Sequence, residues 1–162
     1  MRLGWLAAAH VFVFSAAFPF FNTVDEPMHF NLVVNYSQGH IPRQLTPPNA
    51  EALPFLVIYG PPEYLRTPSV QGGEPVPPPP WQLPLAEVRE KLVAKSTAYQ
   101  NHFQNHEALQ PPLYYTVAGA RWRLGKLLDL DGGRLLYWLR FLNAPLIAAL
   151  VLLMLGSEIA TD

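Results

Sequence analysis

The chain opens on an almost unbroken apolar run, Leu3–Phe21, reading LGWLAAAHVFVFSAAFPFF, in which His10 is the polar interruption. Nineteen helical residues reach about 28 Å, close to a hydrocarbon core of about 30 Å. Residues 1–21 are therefore expected to form a first transmembrane helix. A cleaved signal peptide is the rival reading, since Ser15 and Ala17 are small residues near a cleavage position. A second apolar block, residues 111–128, opens on tyrosines and closes on Arg121, Arg123 and Lys126, as a helix ending at a charged interface would. A third, residues 135–155, runs through Ala144-Pro145-Leu146-Ile147-Ala148-Ala149-Leu150-Val151-Leu152-Leu153-Met154-Leu155. Asp131-Gly132-Gly133 marks a turn over 129–134, and residues 156–162 form a short tail. The pattern predicts an all-α membrane protein with about three transmembrane helices and one large external loop, residues 22–110.

Two stretches of that loop have helical periodicity. In the first, near 25–38, Thr23 and Glu26 resemble a capping box, Pro27 falls in the first turn and Gly39 supplies a stop. Its apolar residues Phe30, Val33 and Val34 are expected to rest on the membrane interface or on neighbouring spans. The second, near 85–106, carries Leu85, Val88, Leu92 and Val93 on one side and a Glu87–Lys91 pair on the other, as an interfacial helix would. Between them, residues 42–84 hold most of the 18 prolines, including Pro77-Pro78-Pro79-Pro80, and read as a semi-rigid linker. A polyproline ligand for an SH3-type reader is the competing reading of that run.

Composition narrows the classes. Half the residues are hydrophobic and 14% are charged, against about a quarter in soluble domains. The net charge of −1, without a basic stripe, argues against a nucleic-acid partner. The absence of cysteine excludes disulfides and thiolate metal sites. Arg2 precedes the first span, and Arg121, Arg123, Lys126, Arg134 and Arg140 surround the short second connection. Positive-inside weighting then puts the N-terminus and residues 129–134 in the cytoplasm and the large loop outside. Membrane lipid is the expected surrounding.

Candidate chemistry lies at the two ends of the loop. Asp25-Glu26-Pro27-Met28-His29-Phe30 follows the first span, and ionisable groups at that depth are costly unless they are used. Asp25 and His29, four apart, share a helix face. His102-Phe103-Gln104-Asn105-His106-Glu107-Ala108-Leu109-Gln110-Pro111-Pro112-Leu113-Tyr114-Tyr115 precedes the second block. If the first two spans pack together, these clusters meet. Asp25, Glu26, His29, His102, His106 and Glu107 would then offer ligands for a divalent cation, although the zinc-protease spacing is not matched. No cofactor is assigned. Polar interfacial side chains without chemistry, and contacts to a substrate, are the other readings of the same residues.

Asp-Glu-Pro-x-His-Phe after a first span, with His-Glu-x-x-Gln-Pro-Pro-Leu-Tyr-Tyr opening a second and Arg140-Phe141-Leu142-Asn143 opening a third, resembles the N-terminal region of the GT-C superfamily of membrane glycosyltransferases. The protein-mannosyltransferase-like and aminoarabinose-transferase-like branches are similar, as is a related group of uncharacterised bacterial multi-spanning proteins. The resemblance implies the N-terminal part of a GT-C-like bundle in a bacterial inner membrane. It implies transfer of a sugar from a polyprenyl-phosphate donor to an acceptor on the external face. Matched by position, Asp25 is the general base and Glu26 its helper; His29, His106, Glu107, Gln110 and Tyr114 are substrate-binding candidates. Some branches use a divalent cation and others do not, so a metal stays open. Arg43, Arg66, Arg89, Lys91 and Lys95 are the loop's cations for a leaving phosphate, and no motif selects among them. Family members have many more spans, so a further C-terminal transmembrane region is an expected partner and these residues alone are expected to be inactive. Two readings from other classes stand beside this one: a non-catalytic membrane protein whose loop binds a partner or polysaccharide, and a metal-dependent membrane hydrolase.

Overall fold

A computed structural model describes residues 2–21, 25–60, 82–84, 86–90, 92, 94 and 104–159. Among them every regular element is helical. The elements are α1 (Arg2–Ala17), α2 (Glu26–Ser37), α3 (Ala52–Tyr59), a 3-10 turn (His106–Leu109), α4 (Pro112–Leu127), α5 (Gly132–Arg140) and α6 (Asn143–Ile159). Residues 86–90 are also helical. The chain divides into two compact units, one of Met1–Phe18 with Gly125–Asp162 and one of Pro19–Leu124.

In the first unit, α1 stops at Ala17, short of the expected Phe21. Pro19 is the cause. It has no N–H to give Ser15, and it disfavours helical backbone at Phe18. The last bond is from Phe18 N to Phe14 O, 3.1 Å. The guanidinium of Arg140 takes over the freed carbonyls, donating from Nη1 to Ser15 O at 3.3 Å and to Phe18 O at 2.6 Å. The third apolar block is likewise not one helix from Leu135. It breaks at Phe141–Leu142 because Pro145 cannot donate to the carbonyl of Phe141, which instead accepts from Ala144 N at 3.3 Å.

α1 and α6 run antiparallel. A Cβ on Gly4, near the start of α1, would lie 3.1 Å from Leu152 Cγ, late in α6. At the other end Phe12 stacks on Phe141 at 4.6 Å, and Tyr137 donates to Ala16 O at 3.4 Å. Ala16 also shares a shallow apolar groove of about 450 Å³ with Leu130, Arg134, Tyr137, Trp138 and Phe141. The end of α1, the turn before α5 and the start of α6 therefore lie at one end of this unit. The turn differs in detail from the one expected. Asp129, at φ +55°, closes α4, with Leu130 N bonded to Gly125 O at 3.0 Å, while the Gly132–Gly133 pair begins α5. Asp131 and Arg134 pair at 2.6 Å on the surface, where such a bridge adds little.

By length and composition, Gly132–Met154 is apolar enough to cross a membrane, and Leu3–Ala17 is a shorter apolar helix. Trp5, Leu6, Val13, Leu153 and Met154 are exposed, a surface that water alone does not suit.

The second unit is built around α2. Phe30 through Asn35 are all buried, so this helix is the unit's core and not an interfacial helix with one apolar side. Gly39, at φ +76°, ends it as expected: Gly39 N bonds Tyr36 O at 3.0 Å and His40 N bonds Asn35 O at 2.9 Å. Thr23, of the expected capping box, lies outside the described residues; Asp25 takes the N-cap position without a side-chain cap bond. α3 forms inside the stretch read as a linker. Pro54 falls in its first turn, where no N–H is needed, and Ala52, Leu53, Leu56 and Val57 are buried. The helix expected near 85–106 is described over 86–90 but not at 104–105, where Asn105 is extended; most of its middle lies outside the described residues, as does Pro77–Pro80.

α4 occupies the second expected span, yet it buries one face, Tyr115, Ala118, Gly119 and Trp122, in the second unit. Phe30, Phe55 and Trp122 meet with ring centroids 5.1–5.7 Å apart. Gly119 lies against the α2 backbone: a Cβ there would sit 2.8 Å from Ser37 N and 3.0 Å from Tyr36 C. Gly119→Ala gains about 1 kcal/mol of helix propensity, but overpacking against backbone costs roughly 1–3 kcal/mol. A net loss of stability is expected in thermal melts in mild detergent. A melt equal to or above that of the parent would contradict the close approach of α2 and α4.

Candidate functional site

The two polar motifs meet in the second unit. Pro27 sits in the first turn of α2, where its ring is tolerated, and sets Asp25 and Glu26 at the helix start. The Asp25 carbonyl accepts from Met28 N at 2.9 Å and His29 N at 3.0 Å. Asp25 is exposed; Glu26 and His29 are half-buried.

Asn105 joins the motifs. It is 1% exposed. Its Nδ2 donates to Met28 O at 3.0 Å, its Oδ1 accepts from Glu107 N at 2.9 Å, and its backbone N donates to Thr46 O at 3.0 Å. One residue, through its side chain and its backbone N–H, thus ties the start of α2, the loop before α3 and the 3-10 turn. Sequence reasoning passed over it, although Asn two residues before Glu107 is a capping pattern.

Tyr115, also passed over, makes the second link. Its hydroxyl lies 2.6 Å from His29 Nδ1, and the rings stack at 6.0 Å. Tyr36 and Tyr114 flank it at 5.6 and 5.5 Å. Burial, helped by the charge of Glu107 and by Tyr114 and Tyr36, pushes its hydroxyl up to about 12. Pro112 stands at the start of α4, where its missing N–H is harmless; Tyr115 lies on the buried face of that helix and Tyr114 on the exposed one.

The other candidates fall around these links. Glu107 is half-buried in the 3-10 turn, His106 is exposed, and Gln110 is exposed with its backbone N bonded to Glu107 O at 3.0 Å. His102 lies outside the described residues. Among the described residues no three His, Asp or Glu side chains gather closely enough to hold a metal ion. Arg43 and Arg89 are exposed; Arg66, Lys91 and Lys95 lie outside the described residues.

A second polar network supports the site from below. Asn31 Oδ1 accepts from Asn49 N at 2.6 Å, and Asn49 Nδ2 donates to Asn35 Oδ1 and to Gln38 Oε1, both at 2.8 Å. Gln38 Nε2 donates to Glu51 Oε2 at 2.8 Å, and Trp122 Nε1 donates to Glu51 Oε1 at 3.3 Å. Asn31 and Asn35, four apart in an apolar helix, were its visible sign. Among the described residues, Asn31 Nδ2 and Thr46 Oγ1 are buried without a partner.

The site is thus a carboxylate pair at a helix start, an imidazole held by a buried phenol, and a glutamate on a short turn. Such a set can accept a proton and hold a hydroxyl. No curated protein and no solved structure matches the chain. Residues 9–157, nearly all of it, match the family described as predicted membrane protein, DUF2142, and the chain belongs to that family.

Proposed function

We propose that this is the N-terminal region of an integral-membrane glycosyltransferase. It moves a sugar from a polyprenyl-phosphate donor to an acceptor hydroxyl or amine on the external face, with Asp25 as general base. The observation that carries the reading is the junction of the two motifs, His29 with Tyr115 and Met28 with Asn105, a few residues beyond an apolar helix. Inversion needs a base on the side opposite the leaving phosphate. Asp25 is exposed and carries no side-chain cap bond, as a base that must reach a substrate requires. Glu26 assists, and His29, His106, Glu107, Gln110 and Tyr114 line the acceptor. The test is Asp25→Asn in the full reading frame, scored by sugar transfer.

The membrane arrangement we propose has two spans, α1 and α6, with the chain between them on one side. Leu130 and Ala16 share a groove at one end of the first unit, and α6 starts there and returns along α1. Asp25 follows α1 by too few residues to recross a core of about 30 Å. The chain has no cysteine, so single cysteines report cleanly. Cysteines at 25 and 131 are expected to react with an impermeant maleimide from the same side of the membrane, and one at 2 from the other. Opposite labelling of 25 and 131 would restore a three-span path.

A further inference from the structure

We propose that Tyr115 fixes His29 as the Nε2–H tautomer, and that this N–H is a neutral donor for a hydroxyl oxygen of the acceptor beside Asp25; the second half rests on the glycosyl-transfer reading. Among the described residues the Tyr115 hydroxyl meets one hydrogen-bonding side-chain atom, His29 Nδ1, at 2.6 Å. The phenol is 4% exposed, so a hydroxyl hydrogen aimed elsewhere would be buried unbonded. With its proton held to about pH 12, it stays a donor at any working pH. The lone pair of Nδ1 is its acceptor, and a neutral imidazole with a bare Nδ1 carries its hydrogen on Nε2. The stacked phenol also restricts rotation of the imidazole.

The charge around the pair selects the ligand. Asp25 and Glu26 precede His29 on its own helix, and Glu107 is close enough to act on the Tyr115 hydroxyl. Three carboxylates disfavour an anion on this donor and suit a neutral hydroxyl. Held there, a hydroxyl accepts from Nε2–H through a lone pair and keeps its own hydrogen free for a carboxylate. Tyr115 is thus a positioning residue, acting through His29.

Nitrogen NMR of the ¹⁵N-histidine-labelled full chain in lipid nanodiscs tests the assignment, with His29→Gln identifying the resonances. A bare Nδ1 and a protonated Nε2 are expected, and Tyr115→Phe, with fold checked by tryptophan fluorescence, is expected to populate both tautomers. A protonated Nδ1 in the parent, or an unchanged spectrum in folded Tyr115→Phe, overturns the lock. Should Tyr115→Phe not fold, the parent spectrum decides by itself. Methyl glucoside is expected to shift the Nε2 resonance and inorganic phosphate to leave it in place; a shift with phosphate alone, or with neither probe, overturns the hydroxyl assignment. Absence of sugar transfer by the parent in the full reading frame would remove the glycosyl-transfer reading while leaving the tautomer result intact.

Discussion

Sugar transfer is expected to fall by about 10²–10⁴-fold when Asp25 becomes asparagine, the usual contribution of a positioned general base. The substitution is nearly isosteric, and asparagine is as good an N-cap as aspartate. Asp25 makes no side-chain cap bond and is exposed, so nothing in the core depends on its charge. The loss should therefore come without loss of fold. Glu26→Gln is the informative neighbour. Glu26 is half-buried in the first turn of α2, where negative charge is favoured by about 0.3–1 kcal/mol. Its replacement should shift stability slightly and reduce transfer less than Asp25→Asn does. The measurement is transfer of labelled sugar from a polyprenyl-phosphate donor in membranes carrying the full reading frame. Equal activity of Asp25→Asn and the parent would remove the base from Asp25, and a larger loss at Glu26 would exchange the two roles.

Why the site was partly legible in sequence is a matter of local and distant signals. Asp25, Glu26, His29 and Glu107 stand out because charge beside a long apolar run is unusual. Tyr115 did not stand out, because two tyrosines opening an apolar block read equally well as an interfacial belt. What separates Tyr114 from Tyr115 is which face of α4 meets α2, and that is decided by Gly119, Ala118 and Trp122 one and two turns later. The face repeats at 115, 118, 119 and 122, so a helical reading of the pattern alone held the answer. Asn105 and the network of Asn31, Asn35, Gln38, Asn49 and Glu51 depend on residues 11 to 77 positions apart, and no local rule supplies those pairings.

The fold was misread where proline did two different things. Pro19 and Pro145 each end or break an apolar run that hydropathy treats as continuous, because each removes one i to i−4 bond. Pro54, by contrast, sits in the first turn of a helix that hydropathy would have revealed, had the surrounding prolines not suggested a linker. α4 packs one face on Phe30, Phe55 and the α2 backbone, while Leu113, Val117, Leu124 and Leu127 are exposed beside its three basic residues.

That packing makes Trp122 the residue whose loss should cost the second unit most. Its indole is fully buried, edge-on to both Phe30 and Phe55, and its Nε1 donates to Glu51. Trp122→Ala is expected to destabilise by about 3–5 kcal/mol, a large fraction of the roughly 5–15 kcal/mol that holds a domain together. Two milder changes divide that loss. Trp122→Phe keeps much of the ring contact and leaves one Glu51 oxygen without its donor, and Glu51→Ala keeps the ring and strands a buried N–H, at about 1–3 kcal/mol. Because Glu51 also holds Gln38, and through it Asn49, Glu51→Ala should loosen the C-terminal turn of α2 as well. Near-UV circular dichroism against temperature in mild detergent follows all three, and hydrogen exchange at Ser37–His40 follows the last. If Trp122→Ala melted with the parent, the aromatic cluster would not be the core of the unit. The polar link from α4 to α2 would then have no apolar packing to hold His29 against Tyr115.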